Sequence, residues 1–176
     1  WTAPVSNGGS PITDYIVERS TNGGTSWTQI VRPVSTLTSY VATGLTNGTA
    51  YVFQVIAVNA VGSSLPSATS SRVTPASVPS AAVLLSVVAG NTAATLRWSA
   101  PMTNGGSPIT DYIVKRSTNG GTTWTRIARP VSTLTSHVAT GLINGTAYVF
   151  KVIAVNAVGI SLPSATSSPV RPALPV

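Results

Sequence analysis

The sequence predicts an all-β protein of two β-sandwiches in tandem, the first without its opening strands. Three observations carry this expectation. Placing Trp98 over Trp1 aligns residues 1–76 with 98–173 without a gap, and only 13 of the 76 paired positions differ, so the chain is a recent tandem duplication. Only 7% of residues are charged while Thr, Ser, Ala, Val and Gly dominate, a mix that favours strands and turns and leaves few runs able to form a helix. In the second copy, short β-rich runs alternate with turn clusters at the spacing of a seven-stranded sandwich.

The runs follow in order. AVLLSVV (82–88) leads to Gly90-Asn91, and TAATLRW (92–98) leads to Asn104-Gly105-Gly106. ITDYIVKRS (109–117) precedes Asn119-Gly120-Gly121, which opens onto TWTRIA (123–128). SHVATGL (136–142) precedes Asn144-Gly145, TAYVFKVIAVN (146–156) is the longest run, and ISLPSATSSPV (160–170) closes the unit. Asn-Gly steps supply the positive φ angles of tight turns and so set where strands stop. Along the longest run a period of two puts Tyr148, Phe150, Val152, Ala154 and Asn156 on one face, suited to a core. Ile113, Val149, Ile153 and Val155 then fall on the opposite, expectedly wet face as an apolar stripe suited to lateral packing between neighbours.

Several of these residues resemble the fibronectin type III pattern, over essentially the whole chain. They are Trp98, Tyr112 and Val114, the segment Gly141 to Tyr148, and Ala154-Val155-Asn156-Ala157-Val158-Gly159. Tyr148, with Tyr51 as its counterpart, matches the family's tyrosine corner, whose phenol packs inward and bonds back to nearby backbone. The resemblance implies an immunoglobulin-like sandwich of the kind found in bacterial extracellular proteins. It also implies that residues 1–75 lack the first strand and most of the second, the equivalents of Pro79 to Arg97. That loss is expected to strip cover from Tyr15, Val17, Tyr51, Phe53 and Val55, at about 1.5–3 kcal/mol for each exposed side chain. The expected organisation is a truncated repeat at 1–75, a Pro-containing linker at 76–79, a complete repeat at 80–172 and a tail at 173–176. Opening on Trp rather than Met, the chain reads as an excerpt of a longer array; the sharper alternative is a filament subunit whose open sheet takes strands from a neighbour.

Catalysis needs convergent titratable groups, and the chain offers one His, three acids and no Cys. Asp14 and Asp111 hold the same position in two copies, a domain apart, and Glu18 becomes Lys115. His137 stands where the first copy has Tyr40 and reads as an exposed strand substitution. No catalytic, metal or cofactor site is expected, and no enzyme. Ser117 to Trp124 resembles the Asp-box hairpin of sialidase-like propellers but reads as the hairpin after the third strand. Asn47-Gly48-Thr49 and Asn144-Gly145-Thr146 fit the N-glycosylation pattern, and turn chemistry explains them equally well. No apolar run approaches the ~18 residues of a membrane span, and no dense Lys/Arg cluster suggests nucleic acid.

The differences between the copies are more informative. Glu18 to Lys115, Gln29 to Arg126 and Gln54 to Lys151 make the second copy more basic, and strand alternation places all three on the outer face of one sheet. Residues 1–75 carry a net charge of +1 against +6 for 76–176. With Trp124, this face (Lys115, Arg126 and Lys151) is the candidate surface for a partner or ligand, an acidic polysaccharide among them. The preferred expectation is a structural spacer in an extracellular or cell-surface protein, contacting neighbouring repeats or subunits. The alternatives are a carbohydrate-binding or adhesion module, or the ancillary repeats of a secreted glycoside hydrolase.

Overall fold

A computed structural model describes residues 1–175 and divides the chain into two compact units, the first ending at Pro75 and the second beginning at Ala76. In the first unit β1 (Ile12–Ser20), β2 (Thr28–Gln29) and β3 (Val52–Asn59) form one antiparallel sheet in the order β2-β1-β3. The second unit has two sheets. β4 (Val83–Gly90), β5 (Ala93–Ser99) and β8 (Ser136–Thr140) make one in that order; β6 (Ile109–Ser117), β7 (Thr125–Arg126) and β9 (Val149–Asn156) make the other in the order β7-β6-β9.

Between these sheets lies the core: Leu96 and Trp98 of β5 face Tyr112 and Val114 of β6 and Phe150 and Val152 of β9, with Tyr148 beside them. Trp98 and Tyr112 meet edge to face at 5.4 Å. The Tyr148 hydroxyl accepts the Ile143 N–H at 3.1 Å, which closes the corner that the sequence suggests.

The first unit shows what pairing supplies. Residues 39–43 match β8 almost residue for residue yet form no strand, because the partner of β8 is β5 and no β5 equivalent lies beside them. The expected stripping of its core is only partial. Tyr15, Val17 and Tyr51 stay buried, while Phe53 and Val55 are half-exposed. Trp1 explains the first, packing edge-on to Tyr15 at 5.5 Å. The guanidinium of Arg19 covers the Tyr51 ring at 5.9 Å, and the Tyr51 hydroxyl accepts the Thr46 N–H at 3.0 Å.

Two further expectations are corrected. Val149 and Ile153 are buried and Ile113 and Val155 half-buried, so the outer face of the β6–β9 sheet carries no wet apolar stripe. Ile153 lies directly opposite Ile113, each covering part of the other. Residues 77–79 are held by the second unit rather than left as a linker. The Ser77 N–H donates to the Gly105 carbonyl at 2.8 Å, Asn156 Nδ2 donates to the Ser77 carbonyl at 2.8 Å, and Pro79 is buried. Gly105, at φ 71°, is obligatory there, since a Cβ would sit 2.2 Å from the Ser77 carbonyl oxygen.

The expected seventh strand, 160–170, is replaced by an irregular one. It touches the long strand in bridges at both ends, Ile160 to Val155 and Val170 to Tyr148, and uses ten steps of chain to cover seven. Every third residue is a serine that bonds twice to one residue of β9. Ser161, Ser164 and Ser167 donate their N–H to the carbonyls of Ala154, Val152 and Phe150, and their Oγ atoms accept the N–H of the same three residues. Each hydroxyl then donates to the carbonyl of its own successor. The hydroxyl stands where a regular strand would present a carbonyl, which makes each step a one-residue bulge. Pro163 falls between two of the serines and Pro169 beyond the last, so neither removes a donor that the edge needs. Ser64, Ser67 and Ser70 repeat the ladder on Ala57, Val55 and Phe53.

Ser164→Ala is expected to strand the buried Val152 N–H at a cost of about 1–3 kcal/mol. Ser67→Ala, whose serine is exposed, is expected to cost less because water replaces it. Native-state hydrogen exchange at the Val152 and Val55 amides checks both; equal losses of protection would contradict the ladder's role.

Candidate functional site

The acid expected to be inert is a structural hub. Asp111 opens β6 after a bulge, and Arg129 reaches back to it from the loop after β7. Arg129 Nη1 donates to Asp111 Oδ1 at 3.2 Å and to the Tyr112 carbonyl, and the Ser132 N–H donates to the same carboxylate oxygen at 3.1 Å. The two side chains are 4% and 12% exposed. In the first unit Arg32 binds Asp14 at 2.8 Å and the Tyr15 carbonyl at 2.7 Å, while the Ser35 N–H donates to Asp14 at 2.9 Å. This node pins the loop between the sheets, and sequence reasoning missed it. The signal was present: an Asp and an Arg 18 residues apart, unchanged in both copies.

The hairpin joining β6 to β7 is built by two side chains. Ser117 Oγ accepts from the N–H groups of Asn119 and Gly121, and Asn119 Oδ1 accepts from the Thr123 N–H. Gly121 has φ 98°, and a Cβ on it would lie 3.2 Å from the Trp124 ring, so the indole packs closely against its own turn. Lys151 Nζ lies 4.0 Å from the centroid of the same ring.

The register brings the candidate residues together. Lys115 is directly opposite Arg126 on one side and Lys151 on the other, so the three cations form one row across β7, β6 and β9, with Trp124, just before β7, beside Lys151. Arg126 is 58% exposed and has one long contact, 3.9 Å from Nη2 to Asp111 Oδ2. The equivalent row of the first unit is Gln29, Glu18 and Gln54, where Gln54 Nε2 donates to Glu18 Oε2 at 2.6 Å. The three substitutions therefore exchange a row with one acid, hydrogen-bonded to its Gln neighbour, for a cationic one.

His137 is not the exposed substitution that the sequence suggests. It lies directly opposite the fully buried Leu96 in the β5–β8 pair, so it points to the inner side and is half-buried near Arg129. Its counterpart Tyr40 holds the Arg32 guanidinium over its ring at 5.5 Å. Among the described residues no group of His, Cys, Asp and Glu is placed to hold a metal ion. Asn144 is committed to its turn: Oδ1 accepts the Thr92 N–H at 2.9 Å, and Nδ2 donates to Asn91 Oδ1.

Two facing antiparallel sheets, a tyrosine corner and an inter-sheet Trp define an immunoglobulin-like sandwich module. The chain belongs to the fibronectin type III domain family, whose model matches residues 1–73 and 77–170. It is similar to fast-type myosin-binding protein C of Gallus gallus, 34% identical over 97% of this chain and 15% of that protein. It is also similar to the striated-muscle M-protein of Gallus gallus, 33% identical over 97% of this chain and 12% of that protein. The chain thus spans a small part of the curated relatives it matches, and these are animal muscle proteins rather than bacterial ones. Domains A168–A170 of titin share the fold, with a TM-score of 0.56 at 24% identity over 90% of this chain and 54% of that one.

Two pH windows follow from the two loops. Burial, with the Arg129 charge adding to it, pushes the His137 imidazole below its usual 6.5. The unfolded chain then takes up a proton first, so stability of the second domain falls as pH drops below about 6.5. In the first domain the Ser35 N–H, more than the Arg32 charge, holds the Asp14 carboxyl below its usual 3.8 against an opposing effect of burial. That contribution is present above about pH 3.8 and is lost as pH falls through the lower folded value. Denaturant titrations at pH 7 and pH 5 are expected to show weakening of the second domain alone, removed by His137→Tyr. Persistence of the slope in that variant would refute the assignment.

Proposed function

We propose that these domains are a non-catalytic structural spacer within a longer protein, presenting repeated, rigid modules in series. The observation that carries the reading is the use made of the polar groups. Both aspartates are consumed in holding loops, and the ladder serines in closing a sheet edge. Little titratable machinery is left to converge on a substrate. The names of the relatives support a life among large assemblies: one is described as myosin-binding, the other as a protein of striated muscle. The two copies agree at 63 of 76 positions, far above their likeness to those relatives, so the duplication is an event of this chain's own lineage. The reading takes the setting to be outside the cell, in a secreted or cell-surface protein of bacterial type. Its finer form, a filament assembled by strand donation, is decided by light scattering: ordered polymers uphold it, a monomer at all concentrations refutes it.

Carbohydrate binding by stacking on Trp124 is disfavoured by geometry. Lys151 Nζ stands over the ring, 4.0 Å from its centroid, so a sugar stacking on that face would have to displace Lys151.

Pulling the chain from its ends is expected to give a discrete unfolding step of about 300 Å for the second domain, from roughly 100 residues released at 3.3–3.6 Å each less the folded length. Gradual yielding without a step would overturn the spacer reading.

A further inference from the structure

We infer that the row Arg126, Lys115 and Lys151 is a docking surface for the acidic face of an α-helix in a partner protein. The inference rests on the reading that this module works through contacts rather than chemistry. Three of the 13 differences between the copies fall on positions that face one another directly across three hydrogen-bonded strands. All three move the charge in the same direction. Like charges placed directly opposite each other in a sheet oppose folding, and the first copy shows that the same scaffold accepts Glu and Gln there. Among the described residues no carboxylate pairs with Lys115 or Lys151, and Arg126 has only its 3.9 Å contact to Asp111. The row is a cost to the domain alone, and an acidic partner would relieve it.

The spacing selects the partner's form. Neighbouring strands lie about 4.8 Å apart, so the cations step across the sheet at that interval. Acidic side chains at i, i+4 and i+7 of a helix follow one another along one face at about 5–6 Å and would meet them one by one. On one face of an extended peptide, acids recur only every ~6.7 Å. An acidic polysaccharide could meet the charge, but stacking on the face of Trp124 that Lys151 covers would displace one of the cations it needs. The half-buried Ile113 beside the row gives the helix an apolar contact in addition.

The test titrates the full chain with two Ala/Gln/Glu peptides of about 20 residues, long enough to hold a helix. One carries its Glu residues in a single stripe at i, i+4, i+7; the other has the same composition with Glu spread around the helix. The comparison protein is the triple variant Lys115→Glu, Arg126→Gln, Lys151→Gln, whose residues are those the first domain already folds with at these positions. The striped peptide is expected to bind, to bind roughly tenfold or more weakly to the triple variant, and to weaken as salt is raised. The evenly charged peptide is expected to bind less well than the striped one. Absence of binding, equal binding to the triple variant, or equal binding of the two peptides would overturn the inference. So would dextran sulfate binding through the row where the striped peptide does not, which would assign the row to a polysaccharide. The spacer reading is tested separately by force, so either can fail without the other.

Discussion

The strand that everything else depends on is β9, because it lies in the core and must have both of its edges hydrogen-bonded. One edge is met by β6 in regular antiparallel register. The other is met by a segment that is not a strand at all. A buried N–H without an acceptor costs more than an ordinary hydrogen bond contributes, so three serine hydroxyls standing in for carbonyls decide whether Phe150, Val152 and Ala154 can stay inside. The same device closes the edge of the sheet to further pairing, since a chain with a bulge at every step and two prolines offers no regular ladder to another strand. Trp98 shows the limit of such satisfaction: its indole N–H is buried without a partner in the described structure, an expense carried by the packing of the ring on Tyr112.

Where the sequence was legible, the chemistry was local. Period-two alternation placed Tyr148, Phe150, Val152 and Ala154 inward, and Asn-Gly-Gly marked the hairpin that Ser117 and Asn119 hold. The closing segment was misread because its residues suit an edge strand, while its real period of three is set by serine side chains that composition alone does not distinguish from loop polarity. His137 was misread for a different reason. Alternation gives a residue's side of the strand only once the register is known, and the register comes from pairing with Leu96 in β5. The Arg129–Asp111 node needed a loop to fold back over 18 residues, which no local pattern reveals.

The candidate row was legible for an unusual reason. A tandem duplication acts as its own control: the same fold carries both sets of residues, so a difference cannot be required by the scaffold. Comparing the copies picked out positions 18, 29 and 54 before their register was known, and the register then made them neighbours. What the comparison could not give was the state of Trp124. Only the structure shows it pressed on Gly121 with Lys151 above it, which turns an apparent sugar platform into a support for a cation.

That support changes how the row's energetics should be read. Cation–π contact with an indole contributes on the order of 0.5–1 kcal/mol at exposed sites, comparable in size with the repulsion between two like charges across a strand pair. Lys151 is therefore held in place while Arg126 is left largely free, its one acidic contact long. An arrangement selected only for stability would restore the Glu–Gln hydrogen bond that the first copy keeps. Instead the second copy retains three cations, fixes one of them over an aromatic ring and leaves Arg126 open to solvent. Local rules broken in this consistent way mark a surface shaped by something outside the domain.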